Sequence, residues 1–230
     1  MTENGASAMA DGPLITVLLP SRGRPTALAE SVGSLLDLAD QPNRIQIRIA
    51  ADPDDPGTRN TELPQQATIW TAPERYGYSR LHEYVNRLAE QADGDWLMLW
   101  NDDARILTAG WDTAVARRQP TVLWPHSNDI PTCNTFPIWP RIWTDRLGHV
   151  SLSPHCDSWI QYLGQALDRH ERVDVEILHD RADLTGGHDD QTRAESSVGY
   201  RTADYGSPVM EAARAADVAT LRALLDPEAP

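Results

Sequence analysis

The chain has 230 residues, with 34 acidic against 20 basic side chains and a formal net charge of -14. That length suits one domain of moderate size, alone or with a small appendage, and it is enough to bury a real core. Arg22/Arg24 and Arg117/Arg118 are the nearest approach to a basic cluster, so nucleic acid is disfavoured as a tightly held partner, though not excluded as a transient acceptor.

Met1 to Gly12 is small and polar and lacks the basic start and apolar centre of a signal peptide, so residues 1–12 are expected to be a disordered leader. No apolar run approaches the roughly 20 residues that cross a bilayer, and a soluble, cytoplasmic protein is expected. Cys133 and Cys156 are too few for a disulfide framework and lack zinc spacing, which leaves free, buried thiols as the reading.

Leu14 to Leu19 is apolar, rich in β-formers and stopped by Pro20, which fits a central strand. The turn Pro20-Ser21-Arg22-Gly23-Arg24-Pro25 follows, and Pro25 suits the first position of a helix carrying Leu28, Val32, Leu35 and Leu36 on one face. A basic loop at a strand's carboxyl end is well placed to meet a diphosphate. Ile45 to Ala51 alternates as a second strand and ends in the acidic turn Asp52-Pro53-Asp54-Asp55. There the Asp52 carboxylate could accept from a base N–H or a ribose hydroxyl, or simply face solvent. Ala67 to Ala72 reads as a third strand. Ser79 is a candidate N-cap for an amphipathic helix bearing Leu81, Tyr84, Val85, Leu88, Ala89 and Ala92.

Asp95 to Asn101 is then a buried strand that runs into Asp102 and Asp103. A strand of this length spans about 20 Å, enough to carry the chain across a core and deliver two carboxylates at the sheet edge where ligands bind. Adjacent carboxylates repel unless a positive charge lies between them, and a hard divalent cation bridging to phosphate oxygens is the usual solution. The alternation of strands and helices predicts βαβ crossovers and a largely parallel sheet.

Gly110-Trp111-Asp112 starts a short helix, and Thr121 to Trp124 is another strand. The stretch from His126 to Trp143 is irregular. Its surroundings are rich in tryptophan, which suits either core packing or contact with a sugar or base plane. A helix follows Pro154, with Asp157 as candidate N-cap. Val173 to His179 alternates as a strand and ends in a histidine. Asp180 to Ala194 reads as a polar, mobile loop, and Pro208 to Leu225 as two short helices split near Asp217. Those helices would form a docked tail or a homo-oligomer contact.

Taken together, Thr16 to Pro25, Asp52, Val85-Asn86-Arg87-Leu88-Ala89, Gly94-Asp95-Trp96 and Asn101-Asp102-Asp103 resemble family-2 type nucleotide-sugar glycosyltransferases of the GT-A fold, closely over residues 14–112 and more loosely over 150–195. The resemblance implies a single α/β, Rossmann-like GT-A domain at 13–195 with a mostly parallel sheet flanked by helices. It divides this domain into a nucleotide-binding half at 13–112 and an acceptor-side half at 113–195, followed by a helical tail at 196–230. It further implies that Pro20, Ser21, Arg22 and Arg24 line the nucleotide pocket, that Asp52 meets the base, and that Arg80 lies near the donor. Asp102 would address the ribose or sugar. Asp103, with His179 or its competitors His188 and Asp189, would hold Mn²⁺ or Mg²⁺, and Asn101 stands where a full D-x-D motif has a carboxylate. Asp157 matches the general base of inverting members, with Cys156 where glutamate is commoner.

The expected activity is therefore metal-dependent, inverting transfer of a sugar from a nucleotide-diphosphate donor, a UDP-sugar foremost, to an acceptor hydroxyl of unknown identity. Two alternatives remain: a nucleotidyltransferase on a related sheet, and an inactive nucleotide-sugar-binding protein.

Overall fold

Ile15, Val17 and Leu19 of β1 (Ile15–Ser21) point to one face of the central sheet and Leu18 to the other, all fully buried. A strand covered on both faces reads as a continuous apolar run rather than an alternating one. The architecture is that of a computed structural model describing residues 14–129, 131–185, 194, 195, 198 and 204–226. The expected leader, together with His188 and Asp189, lies outside the described residues.

β1 is joined in one sheet by β2 (Ile45–Ala51), β3 (Ala67–Thr71), β4 (Trp96–Leu99), β5 (Ala104–Ile106), β6 (Val122–Ser127), β7 (Ile138–Pro140) and β8 (His170–His179), in the order β3-β2-β1-β4-β7-β6-β8-β5. β1 pairs in parallel with β2 and β4, β2 with β3, and β6 with β8; β7 is antiparallel to β4 and β6, and β5 is antiparallel to β8. The largely parallel α/β sheet is thus as expected. The two short antiparallel strands, β5 and β7, add what the sequence pattern did not show.

One face of the sheet carries α1 (Pro25–Asp37), which inserts Leu28, Val32, Leu35 and Leu36. The other carries α3 (Leu81–Ala89), α6 (Cys156–Ala166) and α8 (Pro208–Leu225), whose apolar positions share a second core with Leu18, Leu97 and Leu99. Further helices among the described residues include the short α2 (Pro56–Arg59), α4 (Trp111–Ala116), α5 (Arg141–Leu147) and α7 (Ala182–Thr185). Among the described residues, no helix is long and apolar enough to cross a membrane. At the entry to β4, a Cβ on Gly94 would lie 2.6 Å from the Thr16 backbone nitrogen. A glycine is therefore what lets this chain approach β1.

Several local expectations need correction. Ser79 lies inside a 3₁₀ turn, Tyr78–Arg80, and α3 starts from Arg80 without a side-chain cap. Asp157 is not the cap of α6; His155 holds that position and Asp157 sits in the first turn. The C-terminal segment is one helix rather than two, capped by Ser207 accepting from the Met210 N–H. Asp217 does not interrupt it, because its carboxylate turns inward to Trp159 and His149. Trp111, Trp139 and Trp143 are core residues. Trp124 is covered by the Arg172 guanidinium at 3.6 Å and by the His170 ring at 5.0 Å.

Candidate active site

The registers that align β1, β2 and β4 bring their carboxyl ends together. Ser21 pairs with Ala51, so the loop after β1 faces the acidic turn after β2, and the chain leaving β4 places Asp102 beside them. Asp102 Oδ2 accepts from the Ser21 hydroxyl at 2.8 Å. Arg22 Nη1 donates to Asp52 Oδ2 at 2.8 Å and to Asp54 Oδ1 at 2.6 Å. Gly23 adopts a left-handed φ of 71° and donates its N–H to Asp55 Oδ2 at 2.7 Å. The acidic turn therefore shapes the basic loop.

Asp52 is also a partner of α3. The Tyr84 hydroxyl donates to its Oδ1 and accepts the N–H groups of Tyr76 at 2.8 Å and Gly77 at 3.1 Å. Burial, and then the neighbouring Asp52, push the Tyr84 phenol well above its ordinary pKa, so the hydroxyl stays a donor to the carboxylate.

At the end of β4, Arg24 Nη1 lies 3.0 Å from Asp102 Oδ1 and 2.9 Å from Asp103 Oδ2. Burial pushes Asp102 up to about 6 despite this guanidinium. Burial also works to raise Asp103, but hydrogen bonding and charge from His179 outweigh it and hold Asp103 below the ordinary carboxylate range. The pairing of Ala104 with His179 across β5 and β8 sets this neighbour. His179 Nε2 is 3.1 Å from Asp103 Oδ1, and Nδ1 is 2.6 Å from Asp129 Oδ2. Asn128 fixes the same residue by accepting from its N–H at 2.7 Å and donating to its carbonyl at 3.0 Å. Burial alone would lower the imidazole, yet Asp103 and Asp129 together hold it up to about 9.

Asp157 lines the same cleft from the first turn of α6. Its Oδ1 accepts from the Ser158 N–H at 2.7 Å, and its Oδ2 faces the Cys133 thiol at 3.7 Å. Burial raises its carboxyl, partly offset by the Ser158 N–H and the charge of His155. Cys156 is buried and Cys133 half-buried, both as free thiols.

These groups line one cleft of about 370 Å³, to which Pro20, Ser21, Arg22, Arg24, Asp52, Asp102, Asp103, Asp157 and His179 all contribute, with Tyr78, Asp129 and His155. Of the residues singled out from sequence, Arg80 is not brought there; it engages Glu74 at 2.8 Å and Glu83 at 3.6 Å on the outer surface. Tyr84 and Asp129 were not singled out. Tyr84 is the one residue with a polar tip on an otherwise apolar stripe, the only signal that could have marked it. Asp129, in the irregular stretch after β6, gave none.

No family model matches the chain, and no curated protein matches it. Solved structures do. The S. aureus TarS 1–349 structure superposes with a TM-score of 0.58 at 13% identity, over 94% of this chain and 73% of that one. The same TarS segment in complex with UDP-GlcNAc gives 0.56 at 12% identity, over 94% and 74%. Mannosyltransferase PcManGT from Pyrobaculum calidifontis, in complex with GDP-Man and Mn²⁺, gives 0.55 at 13% identity, over 95% and 76%. The fold is of the GT-A type. Against the longer TarS chain, the match spans only 36% of that protein.

A GT-A cleft raises the question of a cation. Among the described residues, no group of three or more His, Cys, Asp or Glu side chains is arranged to hold one. A hard octahedral cation does not require three, because it retains water and substrate oxygens beside one or two protein ligands. Asp103 and His179 fit that smaller role. Their facing atoms are 3.1 Å apart, and the Nδ1 of His179 is tied to the Asp129 carboxylate, the supporting contact that metal-binding histidines generally have. Asp103 and Asp129 favour the protonated form of His179, and Arg24 donates to the other oxygen of Asp103.

Proposed function

We propose that the protein is a nucleotide-sugar glycosyltransferase that moves a sugar from a nucleotide diphosphate to an acceptor hydroxyl with inversion. What carries this reading is the placement of the arginine-bearing loop, the Asp102–Asp103 pair and Asp157 around one cleft of a GT-A fold. The likeness to proteins solved in complex with UDP-GlcNAc and with GDP-Man supports the donor class.

In this reading Asp52, oriented by Tyr84, accepts the ring N–H of the base. Uracil and guanine both offer such a donor, and UDP-sugars are the first candidates. Arg22 and Arg24 supply guanidinium charge for the diphosphate, while Ser21 and Asp102 address the ribose or sugar. Asp103 and His179 would hold Mn²⁺ or Mg²⁺, which when bound stabilises the negative charge that builds on the departing diphosphate. Asp157 takes the proton from the acceptor hydroxyl as its oxygen bonds to the anomeric carbon, and the bond from that carbon to the diphosphate oxygen breaks with its electron pair. A carboxyl raised by burial is a stronger proton acceptor than an ordinary surface aspartate.

The test is to incubate the protein with a panel of UDP- and GDP-sugars and Mn²⁺ and measure nucleotide release. Release is expected from at least one donor, with Asp157→Asn retaining nucleotide binding while losing release. Absence of both binding and release across the panel would overturn the reading.

A further inference from the structure

The C-terminal helix and the Tyr205 turn before it hold α6 at three points. At the far end, Arg222 Nη2 donates to the Ala166 carbonyl at 3.0 Å. In the middle, Asp217 Oδ2 accepts from Trp159 Nε1 at 2.9 Å and lies 3.0 Å from His149 Nε2, while Val218 and Leu221 are buried. At the near end, Tyr205 packs behind the first turn of α6. Its hydroxyl donates to the Ser158 carbonyl at 3.1 Å, and its ring centroid is 5.0 Å from that of His155. His155 and Ser158 flank Asp157 and line the cleft with it.

Tyr205 is itself held. Arg214, 5% exposed, sets its guanidinium carbon 3.9 Å over the Tyr205 ring and donates Nη1 to the Tyr205 carbonyl at 2.8 Å. The same cation lies 5.5 Å from the Trp159 ring and 5.2 Å from that of Tyr162. Burying an arginine is costly unless its charge is compensated. A leucine would suffice if the helix needed only to cover apolar surface. The arrangement instead fixes one aromatic ring against the turn that carries the proposed base.

We propose that Tyr205, clamped by Arg214, is a positioning residue for Asp157. The C-terminal helix is thereby an integral part of the catalytic apparatus rather than an appended tail. The inference rests on reading Asp157 as the general base. A displacement of about 1 Å in a reacting group can cost on the order of 100-fold in rate, so a brace behind the first turn of α6 has direct leverage on turnover.

The test compares Tyr205→Phe, Tyr205→Ala and Asp157→Asn in the full chain, with a donor that supports nucleotide release. Tyr205→Phe keeps the ring and loses one hydrogen bond, so kcat is expected to fall about fivefold. Tyr205→Ala is expected to lower kcat by up to about 100-fold with donor KM little changed. Amide exchange at residues 156–159 should quicken in both Tyr205 variants while exchange in β1 and β2 stays as in the parent. Unchanged exchange in the first turn of α6, or a Tyr205→Ala variant with parental kcat, overturns the brace. If Asp157→Asn turns over normally while exchange quickens as expected, the base assignment fails and the brace on α6 stands as a structural one only, which also overturns its catalytic part. Should Tyr205→Ala not fold, Tyr205→Phe decides on the same two readouts.

Discussion

Arg24 donates from Nη1 to Asp103 Oδ2 at 2.9 Å, and the same nitrogen reaches Asp102 Oδ1 at 3.0 Å. The repulsion between adjacent carboxylates is thus answered within the chain, by a guanidinium from the first loop. A divalent cation held at Asp103, as proposed, would have to compete with it. Replacing Arg24 by Met removes the competitor and also, in the proposed function, a contact for the diphosphate. Mn²⁺ affinity of the donor-free protein is expected to rise by roughly tenfold, read by the loss of free-Mn²⁺ signal in electron paramagnetic resonance. Nucleotide-diphosphate affinity should fall in the same variant. Parental Mn²⁺ affinity would show that Arg24 does not compete for Asp103.

Tyr84 gives a second prediction, about the base. Its hydroxyl ties the Tyr76–Gly77 backbone to Asp52. Tyr84→Phe leaves those N–H groups and the carboxylate without that partner, at a cost of about 1 kcal/mol or somewhat more per contact. UDP binding measured by calorimetry should weaken about tenfold, while binding of inorganic diphosphate, which in the proposed reading meets Asp52 only through Arg22, should weaken much less. Equal losses for both ligands would point to a general loosening of the cleft instead.

The elements that could be read from the sequence are those whose signal is local. β1 and the run into Asp102 were visible because a strand covered on both faces is nearly all apolar, with Thr16 the exception in β1, until the sheet edge, where Pro20 and the carboxylates appear. Asp103 and His179 were each noticed, but their contact depends on the antiparallel pairing of β5 with β8. β5 is a three-residue strand, too short to leave a periodic pattern. Asp129 and Tyr205 act through partners 50 and 47 positions away, and nothing near them in the chain announces it. Arg80 illustrates the reverse case. The family resemblance implied a place near the donor, but Arg80 closes the 3₁₀ turn before α3 and pairs with Glu74 and Glu83.

The His179 cluster predicts how stability varies with pH. The imidazole is held up to about 9 between Asp103 and Asp129, against about 6.5 in an unfolded chain. Below about 6.5 both states carry the proton and the full stabilisation is present. Between about 6.5 and 9 only the folded state keeps it, so stability falls as pH rises through that window. Metal-free protein should therefore show a declining denaturant midpoint from pH 6.5 to 9, and His179→Gln should flatten the decline. A parental slope in that variant would assign the effect to another group.

Gly94 allows the geometry of the sheet edge to be tested apart from the chemistry. A Cβ there would meet the Thr16 nitrogen at 2.6 Å and the Ile15 carbonyl carbon at 2.8 Å, both backbone atoms of the central strand that cannot swing aside. Gly148, by contrast, has a left-handed φ of 77° and nothing within 4 Å of an added Cβ. Gly148→Ala is therefore expected to cost about 1 kcal/mol from backbone conformation alone. Gly94→Ala must part β1 from the entry to β4 and should cost about 3 kcal/mol or more. Urea unfolding distinguishes them by midpoint. Because β4 delivers Asp102 and Asp103, Gly94→Ala should also weaken nucleotide binding under conditions where the protein remains folded, whereas Gly148→Ala should not. Equal midpoints for the two variants would mean that β1 and β4 can separate at that point without penalty, contrary to the packing described.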